Sequence, residues 1–376
     1  MKIVIAPDSF KESMTAKQAA EAIELGFRSV FGESLETEII PMADGGEGTT
    51  QSLADALQGN MHEQVVTGPL GEKVAATYAL SGDQSLAIIE MAEASGLALV
   101  PLEKRNPLIT TSYGTGELIK AALDRGVEKI ILGIGGSATN DAGAGMIEAL
   151  GGELIYRDSQ SSIRGGAALI DLKDLNLTNL DPRLKKTESI VACDVDNPLL
   201  GANGASAVYG PQKGATEEMV EQLDKALANY HNVLARVTGR DVKDIPGAGA
   251  AGGLGEGLLQ CFDAVLEKGV EIILHETDFY NRVSGADLVI TGEGKIDAQS
   301  ICGKTPIGVA QAAKNQGVKK VIAFCGTLGD NYELVYNAGI DAVFSIAEGP
   351  CTLEEALGKG PELLEAAARN VGRVLV

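Results

Sequence analysis

Three glycine-rich segments and one acidic segment of the chain carry the charged side chains that could do chemistry. They are ADGGEG at 43–48, GIGGSATND at 133–141, ACDVDNP at 192–198 and TGEGKID at 291–297. Glycine lets a backbone approach a ligand closely, and the N-terminus of a helix that follows such a loop attracts anions. Together the segments predict a site for phosphates and a metal ion, which is typical of an enzyme that transfers a phosphoryl group to a small molecule.

The first candidate metal ligands are Asp194 and Asp196, which are separated by one residue. On an extended chain both carboxylates point to the same side. Two carboxylates with one open side suit Mg²⁺, because this ion keeps several waters and takes few protein ligands. A solvated turn before Pro198 is the alternative.

A second charged pattern follows a predicted strand, where Glu293, Lys295 and Asp297 alternate. We expect Lys295 to act in catalysis by neutralising the charge of the transferred phosphate, and Asp297 to join the metal ligands. The intervening Gly292 and Gly294 are expected to let a nucleotide approach the backbone. A solvated charged turn is the alternative for this segment.

The segment after the first predicted strand, Asp8-Ser9-Phe10-Lys11, supplies candidates for substrate binding and catalysis. Lys11 is expected to bind a phosphate or a carboxylate, and Asp8 and Ser9 are expected to lie near the reacting hydroxyl group. Asp44 is a second candidate to orient or deprotonate that hydroxyl, since its loop combines two carboxylates with three glycines. The alternatives are a local turn at Asp8 and a helix N-cap at Asp44.

The loop GIGGSATN at 133–140 follows a predicted strand and is the candidate cradle for nucleotide phosphates. Its spacing also fits a loose dinucleotide-binding fingerprint, with Asp158 near the position of the acidic partner. A tight packing turn between strand and helix is the other alternative. The expected cofactor contacts are Gly133, Gly135, Gly136, Ser137 and Asn140.

Lys304 belongs to a segment, AQSICGKT at 298–305, that fits a relaxed phosphate-loop pattern. In a true phosphate loop the first glycine follows the strand directly. Here several residues separate the end of the predicted strand from the first position of the pattern, and Pro306 directly follows the Gly-Lys-Thr sequence. We therefore expect Lys304 to contact a phosphate or the acid substrate without a phosphate loop. An ordinary surface lysine is the alternative.

The elements that must position these residues are read from the hydrophobic pattern. Short apolar runs alternate with amphipathic helices, which predicts an α/β fold with parallel sheets, apart from an antiparallel meander over 62–90. Strands are expected at 38–42 and 287–291. Capping boxes are expected to begin helices over 15–31 and 353–374, at Thr15 with Gln18 and at Thr352 with Glu355.

The length of 376 residues favours two domains. We expect one discontinuous α/β domain at 1–60 plus 285–376 and an inserted α/β domain at 61–284. In open α/β sheets, ligands bind beyond the carboxyl ends of the strands. The candidate residues fall at such ends in several separate segments, which is stronger evidence than any one motif.

The composition excludes several classes of protein. A formal net charge of −21 disfavours nucleic acids and anionic membranes as partners. The five cysteines have no CxxC spacing, which indicates free thiols in a reducing compartment. The N-terminus enters a strand without the apolar core of a signal peptide. We therefore expect a cytoplasmic protein, either a monomer or a homodimer.

Eight segments in order carry a likeness to a known family. They are APDSFKES at 6–13, PMADGGEGT at 41–49, TSYGTGEL at 111–118, GIGGSATNDAGAGM at 133–146, ACDVDNPL at 192–199, YGPQKGA at 209–215, PGAGAAGGLG at 246–255 and DLVITGEGKID at 287–297. Together they resemble the bacterial glycerate kinase family of the first type. The likeness runs from Met1 to near the C-terminus.

The resemblance implies ATP-dependent phosphorylation of D-glycerate with Mg²⁺, with 2-phosphoglycerate favoured over 3-phosphoglycerate. It places the reaction in glyoxylate, glycolate or sugar-diacid breakdown. It also implies two α/β domains, one flavodoxin-like with a parallel sheet and the second inserted into it, with the active-site cleft between them. Two other classes remain as alternatives: an NAD(P)-dependent oxidoreductase acting on a small hydroxy acid, and a non-enzymatic sensor of organic acids.

Overall fold

The computed structural model describes residues 1–43, 45–46, 48–157, 165–301 and 303–376. The interpretations that rest on Asp44, Asp158 and Cys302 lie outside these residues. Within them, no helix has both the length and the apolarity that crossing a bilayer requires.

Strands and helices alternate over most of the described chain, as the α/β prediction requires. The strands are β1 (Lys2–Ile5), β2 (Glu36–Ile39), β3 (Asn60–Thr67), β4 (Lys73–Leu80), β5 (Leu86–Glu90), β6 (Lys129–Gly133), β7 (Glu153–Tyr156), β8 (Leu172–Asn176), β9 (Glu188–Ala192), β10 (Val265–Glu267), β11 (Leu288–Ile296), β12 (Val321–Leu328) and β13 (Ala342–Ser345). The α-helices are α1 (Ala16–Phe31), α2 (Thr49–Ala56), α3 (Ala92–Ser95), α4 (Tyr113–Asp124), α5 (Ala144–Ala149), α6 (Ala205–Tyr209), α7 (Glu217–Thr238), α8 (Ala250–Cys261), α9 (Gly269–Glu276), α10 (Phe279–Arg282), α11 (Thr305–Asn315), α12 (Leu353–Gly358) and α13 (Gly360–Leu375).

The chain divides into two compact units. Unit 1 comprises Met1–Asp44, Gln51–Gln58 and Lys268–Val376, and unit 2 comprises Gly45–Thr50 and Gly59–Glu267. Unit 1 resumes at the start of α9 because α9 packs against α11. The expected domain bounds, 1–60 plus 285–376 and 61–284, stay a prediction.

Unit 1 is built on a parallel sheet with the strand order β13-β12-β11-β1-β2. Counted along the chain within this unit, the order is 2-1-3-4-5, which is that of flavodoxin-like folds. Ile3 and Ile5 of β1 pack with α1 and α13, whereas Val4 points to the opposite face and is also fully buried. Burial on both faces explains why the strand is a continuous apolar run.

The first helix begins and packs as its sequence predicts. Thr15 Oγ1 accepts a hydrogen bond from Gln18 N at 3.2 Å, and Gln18 Oε1 accepts one from Thr15 N at 3.0 Å. The predicted capping box is thereby confirmed. Farther along α1, a Cβ atom at Gly26 would lie 2.5 Å from Glu365 O, so glycine is needed for α1 and α13 to pack this closely.

The helix predicted over 353–374 is divided into α12 and α13. The break falls at Lys359, and Pro361 lies in the first turn of α13. Proline lacks an N–H group, and in a helix interior its ring clashes with the carbonyl four residues earlier, so one continuous helix through this position is disfavoured. The capping box of Thr352 with Glu355 at the start of α12 is confirmed.

Two predicted strands also have different bounds. The strand predicted at 38–42 lies at Glu36–Ile39, and the strand predicted at 287–291 continues to Ile296. The extension exists because β12 pairs with β11 along this length, and Lys295 is in register with Thr327. Glu293 and Lys295 therefore belong to a strand rather than to a turn.

Unit 2 contains a sheet with the order β10-β9-β6-β5-β4-β3. The strands β10, β9, β6 and β5 are parallel, and β5, β4 and β3 form the predicted antiparallel meander. At the carboxyl ends of the parallel strands β5, β6 and β9, Glu90 pairs in register with Gly133, and Gly133 pairs with Ala192. This register brings the 133–140 loop next to the segment that holds Asp194.

Candidate active site

A cavity of about 570 Å³ lies at the carboxyl ends of the strands of unit 1. It is at the switch point of the sheet, where the chain leaves β1 toward β2 and leaves β11 toward β12, and doubly wound folds bind ligands at this place. We name it the switch-point cavity. It is lined by Asp8–Ser13, Glu293–Lys295, Lys304, Gly326–Thr327, Ile346–Ala347, Leu353, Ala356, Leu357 and Leu363.

Asp8 is held at the end of β1 by contacts with two other elements. Its N–H donates to Gly292 O on β11 at 2.8 Å, and its Oδ2 accepts a hydrogen bond from Thr305 Oγ1 at 2.7 Å. Thr305 is the first residue of α11 and was missed by the sequence analysis, although it ends the GKT pattern. The carboxylate of Asp8 thus has a fixed position on the wall of the cavity.

Three lysines predicted to bind anions, Lys11, Lys295 and Lys304, line the same cavity. Lys304 Nζ lies 3.7 Å from Glu293 Oε2. Lys295 Nζ lies 2.9 Å from Asp297 Oδ2, and this hydrogen bond raises the pKa of Lys295 and lowers the pKa of Asp297. The same lining contains three carboxylates, those of Asp8, Glu12 and Glu293, so the lysines balance the charge of this cavity in a chain of strongly negative net charge.

In unit 2, the 133–140 loop exposes only part of its backbone. Gly135 and Gly136 are exposed, whereas Ser137 and Asn140 are buried. Asn140 Nδ2 donates to Ser206 Oγ at 3.0 Å, which is a packing contact. The predicted nucleotide contacts of this loop stay predictions, and the backbone of the two exposed glycines is the part that a ligand can reach.

Asp141 occupies the position at which the sequence analysis expected an anion. The carboxylate is fully buried and accepts hydrogen bonds from Ser112 N at 2.8 Å, Ser112 Oγ at 2.9 Å and Gly143 N at 3.3 Å. Burial raises the pKa of Asp141. Asp141 Oδ2 also accepts a hydrogen bond from Gly145 N at 3.4 Å, so the chain's own carboxylate occupies backbone donors at the start of α5, and the phosphate site predicted at this loop stays a prediction.

Lys213 was not singled out by the sequence analysis, yet it anchors the 133–140 loop. Its fully buried Nζ donates to Ser137 Oγ and to Thr139 O, both at 2.7 Å. Burial lowers the pKa of Lys213 to about 7. The only sequence signal was a lysine within the glycine- and proline-rich segment at 209–215.

We expect Lys213→Met to change how stability depends on pH. An unfolded lysine has a pKa of ~10.4, so between about pH 7 and that value the unfolded wild type binds more protons than the folded state, and raising the pH stabilises the fold. From about pH 7 to pH 9 the wild type should gain ~2 kcal/mol of unfolding free energy relative to the variant. Urea unfolding of both proteins at several pH values tests this, and a constant difference would contradict it.

Asp194 and Asp196 are exposed beyond the carboxyl end of β9. Among the residues that the structure describes, no group of three His, Cys, Asp or Glu side chains could hold a metal ion. Mg²⁺ is commonly held by one or two carboxylates together with substrate phosphates, and an exposed pair fits that requirement. Asp297 fits it less well, because Lys295 already binds its carboxylate.

The fold is α/β, and unit 1 has a cavity lined by charged groups at the switch point of its sheet. A family model described as the glycerate kinase family matches residues 3–376. The glycerate kinase of Halalkalibacterium halodurans is 56% identical over 372 residues, covering 99% of this chain and 97% of the relative. The glycerate 2-kinase of Escherichia coli K12 is 51% identical over 375 residues, covering 100% and 98%.

A solved structure agrees with these relatives. The crystal structure described as that of a glycerate kinase 2 from Salmonella typhimurium LT2 matches with a TM-score of 0.92 at 51% identity, covering 100% of this chain and 98% of the other. The chain belongs to the glycerate kinase family, and it is a kinase. The resemblance and the α/β fold class are thereby confirmed.

Proposed function

We propose that this kinase transfers the γ-phosphoryl group of ATP to D-glycerate in the presence of Mg²⁺, and that it forms 2-phosphoglycerate in preference to 3-phosphoglycerate. The observation that carries the proposal is the convergence of Asp8, Lys11, Lys295 and Lys304 on one cavity. A relative at 51% identity carries the name glycerate 2-kinase, which supports the position of transfer. Glyoxylate, glycolate or sugar-diacid breakdown would supply the substrate.

The residues of the cavity would have separate roles in an in-line transfer of the phosphoryl group. Lys11 and Lys304, with Ser9, would hold the carboxylate or a phosphate of the substrates. Asp8 would orient the reacting hydroxyl of glycerate and accept its proton, with Asp44 as the other candidate. Lys295 would stabilise charge on the transferred phosphoryl group, since phosphoryl transfer depends mainly on positioning and charge stabilisation.

Binding of the metal ion and of the nucleotide phosphates would require protein groups in addition to those described for the cavity. Asp194 and Asp196 would hold Mg²⁺, with Asp297 as a third candidate, and the ion would neutralise phosphate charge. The backbones at Gly135, Gly136 and Gly294 would approach the nucleotide, whereas Gly133 and Gly292 are buried.

The experiment is incubation of the purified protein with ATP, Mg²⁺ and D-glycerate, followed by ³¹P NMR. A new phosphomonoester signal is expected, and its proton coupling distinguishes the 2-phosphate from the 3-phosphate. A folded protein that leaves ATP unchanged would refute the proposal. Thermal protection by ATP with Mg²⁺ but none by NAD(H) would exclude the oxidoreductase alternative, because a ligand stabilises the state that it binds.

We expect Asp194→Asn to lower kcat by ~100-fold or more, since metal-held charge stabilises such a transition state by several kcal/mol. Raising the Mg²⁺ concentration should restore part of the loss. The matched control is Asp171→Asn, which changes another exposed carboxylate of unit 2 and should leave kcat unchanged. Near-normal turnover of the Asp194 variant would remove this residue from the mechanism.

A further inference from the structure

The switch-point cavity is larger than its proposed acid substrate requires. Even at the ~30 Å³ per non-hydrogen atom that liquid water occupies, a three-carbon hydroxy acid would fill only roughly 200 Å³. The cavity measures about 570 Å³. More than half of it is therefore available to another part of the reacting molecules.

The two halves of the cavity differ in chemistry. The charged half carries Asp8, Glu12, Glu293 and the three lysines described above. The lining residues that come from C-terminal segments are apolar and form the other half. Its members are Ile346, Leu353, Ala356, Leu357 and Leu363. A carboxylate or phosphate against these residues would lose its hydration without gaining a partner, so the apolar half suits an uncharged group.

The helix α12 supports this division. Leu353, Ala356 and Leu357 have the i, i+3, i+4 spacing that places side chains on one helical face, and all three line the cavity. Such a face normally packs on a core, yet α12 has no buried residue and Leu353 is 72% exposed. The apolar face of α12 is therefore available to a ligand in the cavity.

We propose that the apolar half of the switch-point cavity binds the adenosine part of ATP, so that the nucleotide enters unit 1 with its base against α12 and its phosphates toward the lysines. This inference rests on the proposed function, because it assigns a subsite to the phosphoryl donor. A planar base joined to a polyphosphate matches a cavity in which one half is apolar and the other holds three lysines. A Cβ atom at Gly294 would lie 3.5 Å from Lys11 N, an ordinary van der Waals distance, so β11 and the segment after β1 are in contact at the half with the lysines.

The absence of tryptophan from the chain offers a direct binding test. Leu353→Trp introduces a single indole at the rim of the apolar half, and its fluorescence is followed during titration with ADP, adenosine, inorganic triphosphate and D-glycerate. We expect ADP and adenosine to change the emission and the other two compounds to leave it unchanged. The matched control is Leu25→Trp on α1, another exposed leucine of unit 1, which should respond to none of them.

A second variant measures the consequence for turnover. Ala356→Trp should fill the apolar half, raise the KM for ATP at least tenfold and leave the KM for D-glycerate within twofold. If the KM for D-glycerate rises instead, or if D-glycerate alone changes the Leu353→Trp emission, the apolar half binds the acceptor and the inference is wrong.

The wild-type assay separates this inference from the proposed function. If the wild type phosphorylates D-glycerate while ADP leaves the Leu353→Trp emission unchanged, the kinase stands and the adenosine subsite is refuted. If the wild type shows no turnover but ADP and adenosine change the emission, the subsite stands and the glycerate reaction fails.

Discussion

Asp8→Asn should lower kcat by ~100-fold or more, the lower range for loss of a general base. Asp8 Oδ1 accepts a hydrogen bond from Ser9 N at 2.6 Å and Oδ2 accepts one from Thr305 Oγ1 at 2.7 Å. An asparagine oxygen can keep the first bond while its amide nitrogen donates to the threonine hydroxyl, which can also accept, so the position of the side chain is preserved. It cannot accept a proton from the reacting hydroxyl. Steady-state kinetics should show the loss in kcat, and urea unfolding should show little change in stability.

The matched control for this variant is Asp287→Asn. Asp287 immediately precedes β11, so it lies at the amino ends of the strands, away from the cavity at their carboxyl ends. Its Oδ2 accepts a hydrogen bond from Lys2 N at 2.9 Å. This change should leave kcat as in the wild type. Near-normal turnover of Asp8→Asn would exclude Asp8 as the base and transfer the role to Asp44.

Gly252→Ala should destabilise unit 2 by more than ~3 kcal/mol, because two unfavourable effects add. The residue has a φ of +70°, and a Cβ atom would lie 2.0 Å from Thr139 O. That carbonyl also accepts the hydrogen bond from Lys213, so the variant should displace the 133–140 loop as well. The shift of the urea midpoint measures the loss.

Gly239→Ala separates backbone strain from the clash. Gly239 follows α7 with a φ of +76°, and a Cβ atom there would have nothing within 4 Å. It should cost only the strain of a left-handed residue, ~1 kcal/mol. Equal losses in the two variants would show that close packing at Gly252 contributes nothing.

Local signals explain why much of the fold could be predicted from the sequence. The apolar run of β1 and the capping box of α1 depend on residues next to one another, and both are confirmed. The extension of β11 could not be predicted, since it depends on β12 lying beside it. The division of the last helix had a local signal in Pro361, which the sequence analysis did not use.

The candidate site shows the same limit. Asp8, Lys11, Lys295 and Lys304 could be chosen because they follow or end predicted strands, and the structure places them around one cavity. The contact of Lys213 with Ser137 joins residues 76 positions apart, and no local pattern indicates such a pair. The bond of Asp141 with Ser112 could not be predicted for a similar reason, because Ser112 lies 29 positions earlier.

The central strand of unit 1 also has a consequence for biosynthesis. β1 is paired on one side with β2 and on the other with β11, and Lys2 bonds to Asp287, 285 positions later. At ~5–20 residues per second, a ribosome needs roughly 15–60 s to make the intervening chain. During that time one edge of β1 has no partner, while the continuous segment Gly59–Glu267 of unit 2 is completed first. The nascent N-terminal strands must therefore be kept from pairing with other chains until β11 has been synthesised.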